Sequence, residues 1–75
     1  MTTPTTAAAL TALLTDLDQV SVQVDGPAVL TITKAGQFFV NCTQRATGWR
    51  CVVADLASGE TFAATMDEVL AECGV

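Results

Sequence analysis

Eight carboxylates, three thiols and no histidine form the reactive inventory of this chain. General acid and base work uses a group whose pKa can be tuned towards neutrality, most often histidine, so only carboxylates remain for it. Asp67 and Glu68 are neighbours and Glu72 follows Glu68 at i+4, a row that on a helix reads as a solvated face or a recognition surface rather than a pocketed acid and base. Ser21 falls on an alternating strand and Ser58 in a turn, and neither lies in a GxSxG elbow. Cys42, Cys51 and Cys73 are spaced by 9 and 22 residues, with no CxxC pair and no histidine to complete a zinc site. Reactive thiols need a cationic or helix N-terminal setting. These three lie on apolar stripes and read as small core residues. Isolated turn glycines at 26, 36, 48 and 59 offer no GxGxxG or phosphate-binding loop. Neither an enzyme, a metal nor a cofactor is expected.

The elements that position these groups follow from periodicity. Residues 1–4 read as a polar leader. Leu10, Leu13, Leu14 and Leu17 form one helical stripe, which predicts a helix over about 5–17 with Thr3 as cap and Pro4 in its first turn. From Gln19 the period becomes two, and strands are expected at about 19–25, 28–34, 37–43, 49–55 and, as a short edge, 60–64. The first hairpin is expected to close with a three-residue loop, pairing Val22 with Leu30 and Val20 with Ile32. Closing the third hairpin on Ala46 and Thr47 sets Cys42 opposite Cys51, with β-carbons roughly 4.5–5.5 Å apart. A relaxed disulfide prefers ~3.8 Å, so reduced thiols are expected. Thr65, Met66, Asp67 and Glu68 spell a capping box for a helix over about 66–73, with Met66, Val69, Leu70 and Cys73 on its apolar stripe and Gly74 as its stop. The fold class is therefore α+β: a helix, a meandering antiparallel sheet of four to five strands, and a second helix. Both helices should pack on the one strongly apolar sheet face, the alternative being that the first covers the outer face.

Composition narrows the partners. The chain has 75 residues, 51% of them hydrophobic and 15% charged, so one domain with a small core is expected rather than disorder. A net charge of −5 disfavours direct contact with nucleic acid or anionic membrane and points to basic protein surfaces. No basic residue precedes the apolar run 7–14 and no run approaches membrane-spanning length, so an unprocessed cytoplasmic protein is expected.

Two features exceed a bland surface. Asp67, Glu68 and Glu72 share the exposed side of the last helix, with no Lys or Arg at i±3 or i±4, and Glu60 and Asp55 lie close in sequence. On the outer sheet face, the expected register sets Phe39 between Thr31 and Ala54, with Val29 and Val52 flanking Asn41. An exposed phenylalanine beside valines marks an interface. Lys34, Arg45 and Arg50, at hairpin tips or strand ends, read as solubilising.

The stretch from Trp49 through Asp55, Ser58, Gly59, Phe62 and Thr65 into the final helix resembles the sheet and helix of small double-stranded-RNA-binding or integrase arm-binding domains. It departs from them in carrying Asp67, Glu68 and Glu72 where those domains carry basic residues. An acidic chain of this size that starts Met1, Thr2, Thr3, Pro4 and is rich in alanine and threonine also resembles phage-encoded anti-CRISPR proteins. That resemblance implies a DNA-mimicking inhibitor acting in the host cytoplasm on the basic, DNA-engaging surface of a CRISPR effector subunit. The expectation is a non-enzymatic, monomeric inhibitor that uses Asp67, Glu68, Glu72, Glu60 and Asp55 for steering and Phe39, Val29 and Val52 as anchors. The alternative is an assembly module that self-associates through its sheet.

Overall fold

In the computed structural model, which describes residues 4–75, helix α1 (Ala7–Thr15) is followed by strands β1 (Val20–Gly26), β2 (Val29–Lys34), β3 (Phe38–Arg45), β4 (Gly48–Asp55) and β5 (Thr61–Ala64), then helix α2 (Met66–Cys73). The fold is α+β. Each strand pairs antiparallel with the next, giving a five-stranded meander in chain order.

Helix α1 begins later than the leucine stripe suggests. Its N-cap is Thr6, whose Oγ1 accepts the Ala9 N–H at 3.1 Å. Thr3, the expected cap, lies outside the described residues. Pro4 and Thr5 stay out of the helix, and their carbonyls accept side-chain N–H groups from Trp49 and Gln44. At the other end Asp16 is the C-cap, and Gln19 at φ 65° turns the chain into β1.

The first hairpin differs from the expected register. Val22 pairs with Ile32, Val20 with Lys34 and Val24 with Leu30, a slip of two residues, and the ladder is irregular between Val24 and Gly26. A two-residue slip preserves which face each side chain occupies, so hydrophobic alternation cannot distinguish the two registers. The bulge lets the chain turn through Pro27 and Ala28. Asp25 is held there by the Thr31 hydroxyl, which donates to Oδ2 at 2.7 Å. The β3–β4 register is the expected one, with Cys42 opposite Cys51 and Phe39 opposite Ala54.

Both helices cover the same sheet face. Leu10 and Leu14 of α1 and Met66, Val69, Leu70 and Cys73 of α2 join one buried cluster with Leu30, Ile32, Val40, Cys42 and Cys51. Full burial of each large aliphatic side chain contributes about 1.5–3 kcal/mol before entropy is counted. Helix α1 packs chiefly on β1 and α2 on β4, so the two lie side by side. Among the described residues no helix lies over the outer face: Phe39 and Val52 remain 45% and 39% exposed. Among the described residues, no helix is long and apolar enough to cross a membrane.

Candidate protein-binding site

Helix α2 is fixed at both ends by local bonds that the sequence encodes. The Thr65 Oγ1 accepts the Glu68 N–H at 3.2 Å, while Glu68 Oε1 accepts the Thr65 N–H at 3.1 Å and the Thr65 hydroxyl at 3.0 Å. Gly74 at φ 97° closes the C-terminus, and the Val75 N–H reaches the Leu70 carbonyl at 3.0 Å.

Between α2 and the β4–β5 edge runs a groove of about 290 Å³. Its floor is apolar, made by Phe38, Val40 and Val53, with Val69 on the helix wall. Phe62 and Ala64 of β5 form the opposite side, and Asp55, Glu68 and Glu72 are the charged groups around it. Two of these carboxylates are held in place: Glu68 by the capping box, and Asp55 by its Oδ1 accepting the Ala57 and Ser58 N–H groups at 2.8 and 3.3 Å. Holding the side chains before a partner arrives lowers the ordering cost of binding.

The expected site residues do not form one surface. Asp55, Glu68 and Glu72 meet at this groove, and Glu60 sits across the β4–β5 turn from Asp55, its carbonyl accepting the Asp55 N–H at 2.9 Å. Asp67, one residue before Glu68 on the helix, points instead to a separate hollow with Thr47, Trp49 and Pro4. Phe39 and Val52 lie on the far side of the sheet. Val29 is half-buried beside Thr43, not Asn41, because β2 and β3 pair Phe39 with Thr33 and Asn41 with Thr31.

Sequence reasoning missed the surroundings of Phe62, Val24 and Lys34. Phe62, read as an inward core residue, does face the helices but is 49% exposed, because among the described residues no strand lies beyond β5 to close over it. Val24 is likewise inward and 57% exposed at the other edge, on β1. The signal available was position: both sit on the first or last strand of a meander. Lys34, read as solubilising, donates from Nζ to the Glu72 main-chain carbonyl at 2.7 Å and brings one cation to the end of α2. Arg45 lies at the β3–β4 hairpin and Arg50 on the outer face, so the groove rim keeps a net negative charge.

The thiols belong to the core. Cys42 and Cys51 are buried opposite each other, and Cys73 is buried on α2. The Cys42 thiol is pushed up by its hydrogen bond to Cys51 and by burial. Burial also pushes Cys73 up, against the opposing pull of the Lys34 ammonium. Among the described residues, no group of three or more His, Cys, Asp or Glu side chains is arranged to hold a metal.

The site is thus an apolar groove with a carboxylate rim on a small α+β scaffold, an arrangement that can hold a cationic, partly apolar chain. No family model, curated protein or solved structure matches the chain.

Proposed function

We propose that this protein is a non-enzymatic inhibitor that binds a basic nucleic-acid-binding protein and blocks its engagement of DNA. The observation that carries this reading is the groove in which Asp55, Glu68 and Glu72 surround an apolar floor. Carboxylates placed around apolar surface satisfy both demands of a protein interface: charge steers the encounter, and burial of the exposed Phe62 ring supplies affinity. The resemblance to anti-CRISPR proteins supplies a partner class, the DNA-engaging subunit of a surveillance complex in the cytoplasm of a phage-infected cell. A purified surveillance complex and its labelled duplex target test it in a gel-shift titration. The protein is expected to displace the duplex, and a Glu68→Gln, Glu72→Lys double variant to lose that effect while remaining folded by circular dichroism. Displacement undiminished in the double variant would refute the acidic-groove reading; no displacement by the unmodified protein would refute this partner.

A second reading is supported by the uncovered outer face, where Phe39 and Val52 could bury against another copy. Sedimentation distinguishes it. A dimer that a Phe39→Ser variant converts to monomer would favour an assembly module, whereas a monomer at all concentrations favours the inhibitor.

A further inference from the structure

We propose that the free edge of β5 is a strand-addition site whose occupant is an extended segment of a basic partner, with lysine or arginine alternating with apolar residues. The inference rests on the acidic-groove reading above and specifies how a partner enters that groove.

The phase of the β4–β5 ladder is set by its turn. The Asp55 N–H donates to the Glu60 carbonyl at 2.9 Å and its carbonyl accepts the Gly59 N–H at 2.8 Å, with Gly59 at φ 74° in the manner of a glycine bulge. Hydrogen-bonded pairs then alternate, falling on Phe62 with Val53 and on Ala64 with Cys51. The N–H and C=O groups of Thr61 and Ala63 accordingly point away from β4, to the side where, among the described residues, the sheet ends. Edges are protected by shortness, a lysine, a proline or a bulge; β5 is short at four residues but carries no lysine, proline or bulge within Thr61–Ala64, so its length is its one guard among these. The opposite edge differs, since β1 is broken by its irregularity before Gly26.

The side chains around this edge choose the occupant. A strand added at about 4.7–4.9 Å from β5 would send alternate side chains to the two sheet faces. On the helix side they would lie along Phe62 with Glu68 and Glu72 beyond, a path suited to a lysine or arginine whose stem covers the ring and whose head meets a carboxylate. On the other side they would run along Thr61 and Ala63 of β5, which suits small apolar residues. A second copy is disfavoured by charge. Pairing β5 with itself would bring two sets of Asp55, Glu68 and Glu72 to one seam, each on a chain of net charge −5.

The test uses a short peptide alternating lysine with valine, and the same peptide N-methylated at every second backbone nitrogen so that its charge is kept and its edge bonds are lost. Amide exchange at Thr61 and Ala63 is expected to slow on adding the first peptide, and the N-methylated form to bind about tenfold or more weakly. An Ala63→Pro variant, which removes an outward N–H and no β4 bond, should mimic that loss; if it does not fold, the N-methylated peptide still decides. Equal binding of both peptides, weakened by salt and by Glu72→Gln, would overturn strand addition and leave the acidic groove standing. Binding that requires the free peptide N–H groups but ignores salt and Glu72→Gln would overturn the acidic reading alone. Binding of neither peptide overturns strand addition, as does concentration-dependent protection of Thr61 and Ala63 without peptide, which would assign the edge to a second copy.

Discussion

The ammonium of Lys34 donates a 2.7 Å hydrogen bond to the main-chain carbonyl of Glu72, joining the end of β2 to the last turn of α2 across 38 residues of sequence. Helix α2 has no basic residue in its own last turn, so the cation that complements its negative end comes from the sheet. Lys34→Met is expected to lower stability by ~0.5–1.5 kcal/mol at low salt. Because the contact is exposed, the loss should shrink in high salt. Urea unfolding at two ionic strengths checks this, and a loss independent of salt would contradict the electrostatic account.

The capping box separates the two roles of Glu68. Thr65→Ala removes the acceptor for the Glu68 N–H and should cost about 1 kcal/mol. Glu68→Gln keeps a carbonyl oxygen for the Thr65 N–H and removes the charge, so it should cost only the dipole contribution, ~0.3–1 kcal/mol. Thermal unfolding of the two variants gives the comparison. A Glu68→Gln loss exceeding that of Thr65→Ala would show that charge, not hydrogen bonding, holds the first turn.

Stability should fall at alkaline pH. Cys42 and Cys73 are pushed above the ordinary thiol value in the folded protein, while Cys51 is pulled below it by the same bond to Cys42, so above that value it is the Cys42 and Cys73 protons that the unfolded chain loses first. With fewer protons bound unfolded than folded, unfolding free energy decreases as pH rises, from about pH 8.5 upward, by ~1.4 kcal/mol per pH unit for each such thiol. Below that pH the contribution is fully present. Replacing Cys73 with Val should remove part of this slope, and an unchanged slope in urea titrations across pH 8 to 10 would refute the assignment.

Trp49 ties the segment before α1 to β4. Its indole N–H donates to the Pro4 carbonyl at 2.8 Å, and Trp49→Phe keeps the ring while deleting that bond. A cost of about 1 kcal/mol is expected. Amide exchange should quicken at Leu10, whose N–H bonds the Thr6 carbonyl in the first turn of α1. Unaltered exchange there would mean that the helix end holds without the tether.

Much of the fold was legible because its signals are local. The alternation of Phe38, Val40 and Cys42 and the Thr65–Glu68 box depend on neighbours within a few residues, and the structure places all of them as expected. The start of α1 was not legible in the leucine stripe, since Trp49 and Gln44 draw Pro4 and Thr5 away from the helix from more than thirty residues off. The candidate site was legible in part. Asp55, Glu68 and Glu72 were identified by charge, but their separation from Asp67 and from Phe39 depends on which side of α2 and of the sheet each one faces.

What the sequence by itself determined is the order of elements, the inward and outward face of each strand and the caps of α2, because periodicity and capping act over short stretches of chain. The tertiary structure decided the rest. Alternation with a period of two is blind to a two-residue slip, so only the assembled sheet sets Val22 against Ile32 rather than Leu30. Only an edge with no further strand leaves Phe62 open beside Glu68 and Glu72, since burial is a property of what lies across the gap and not of the residue alone.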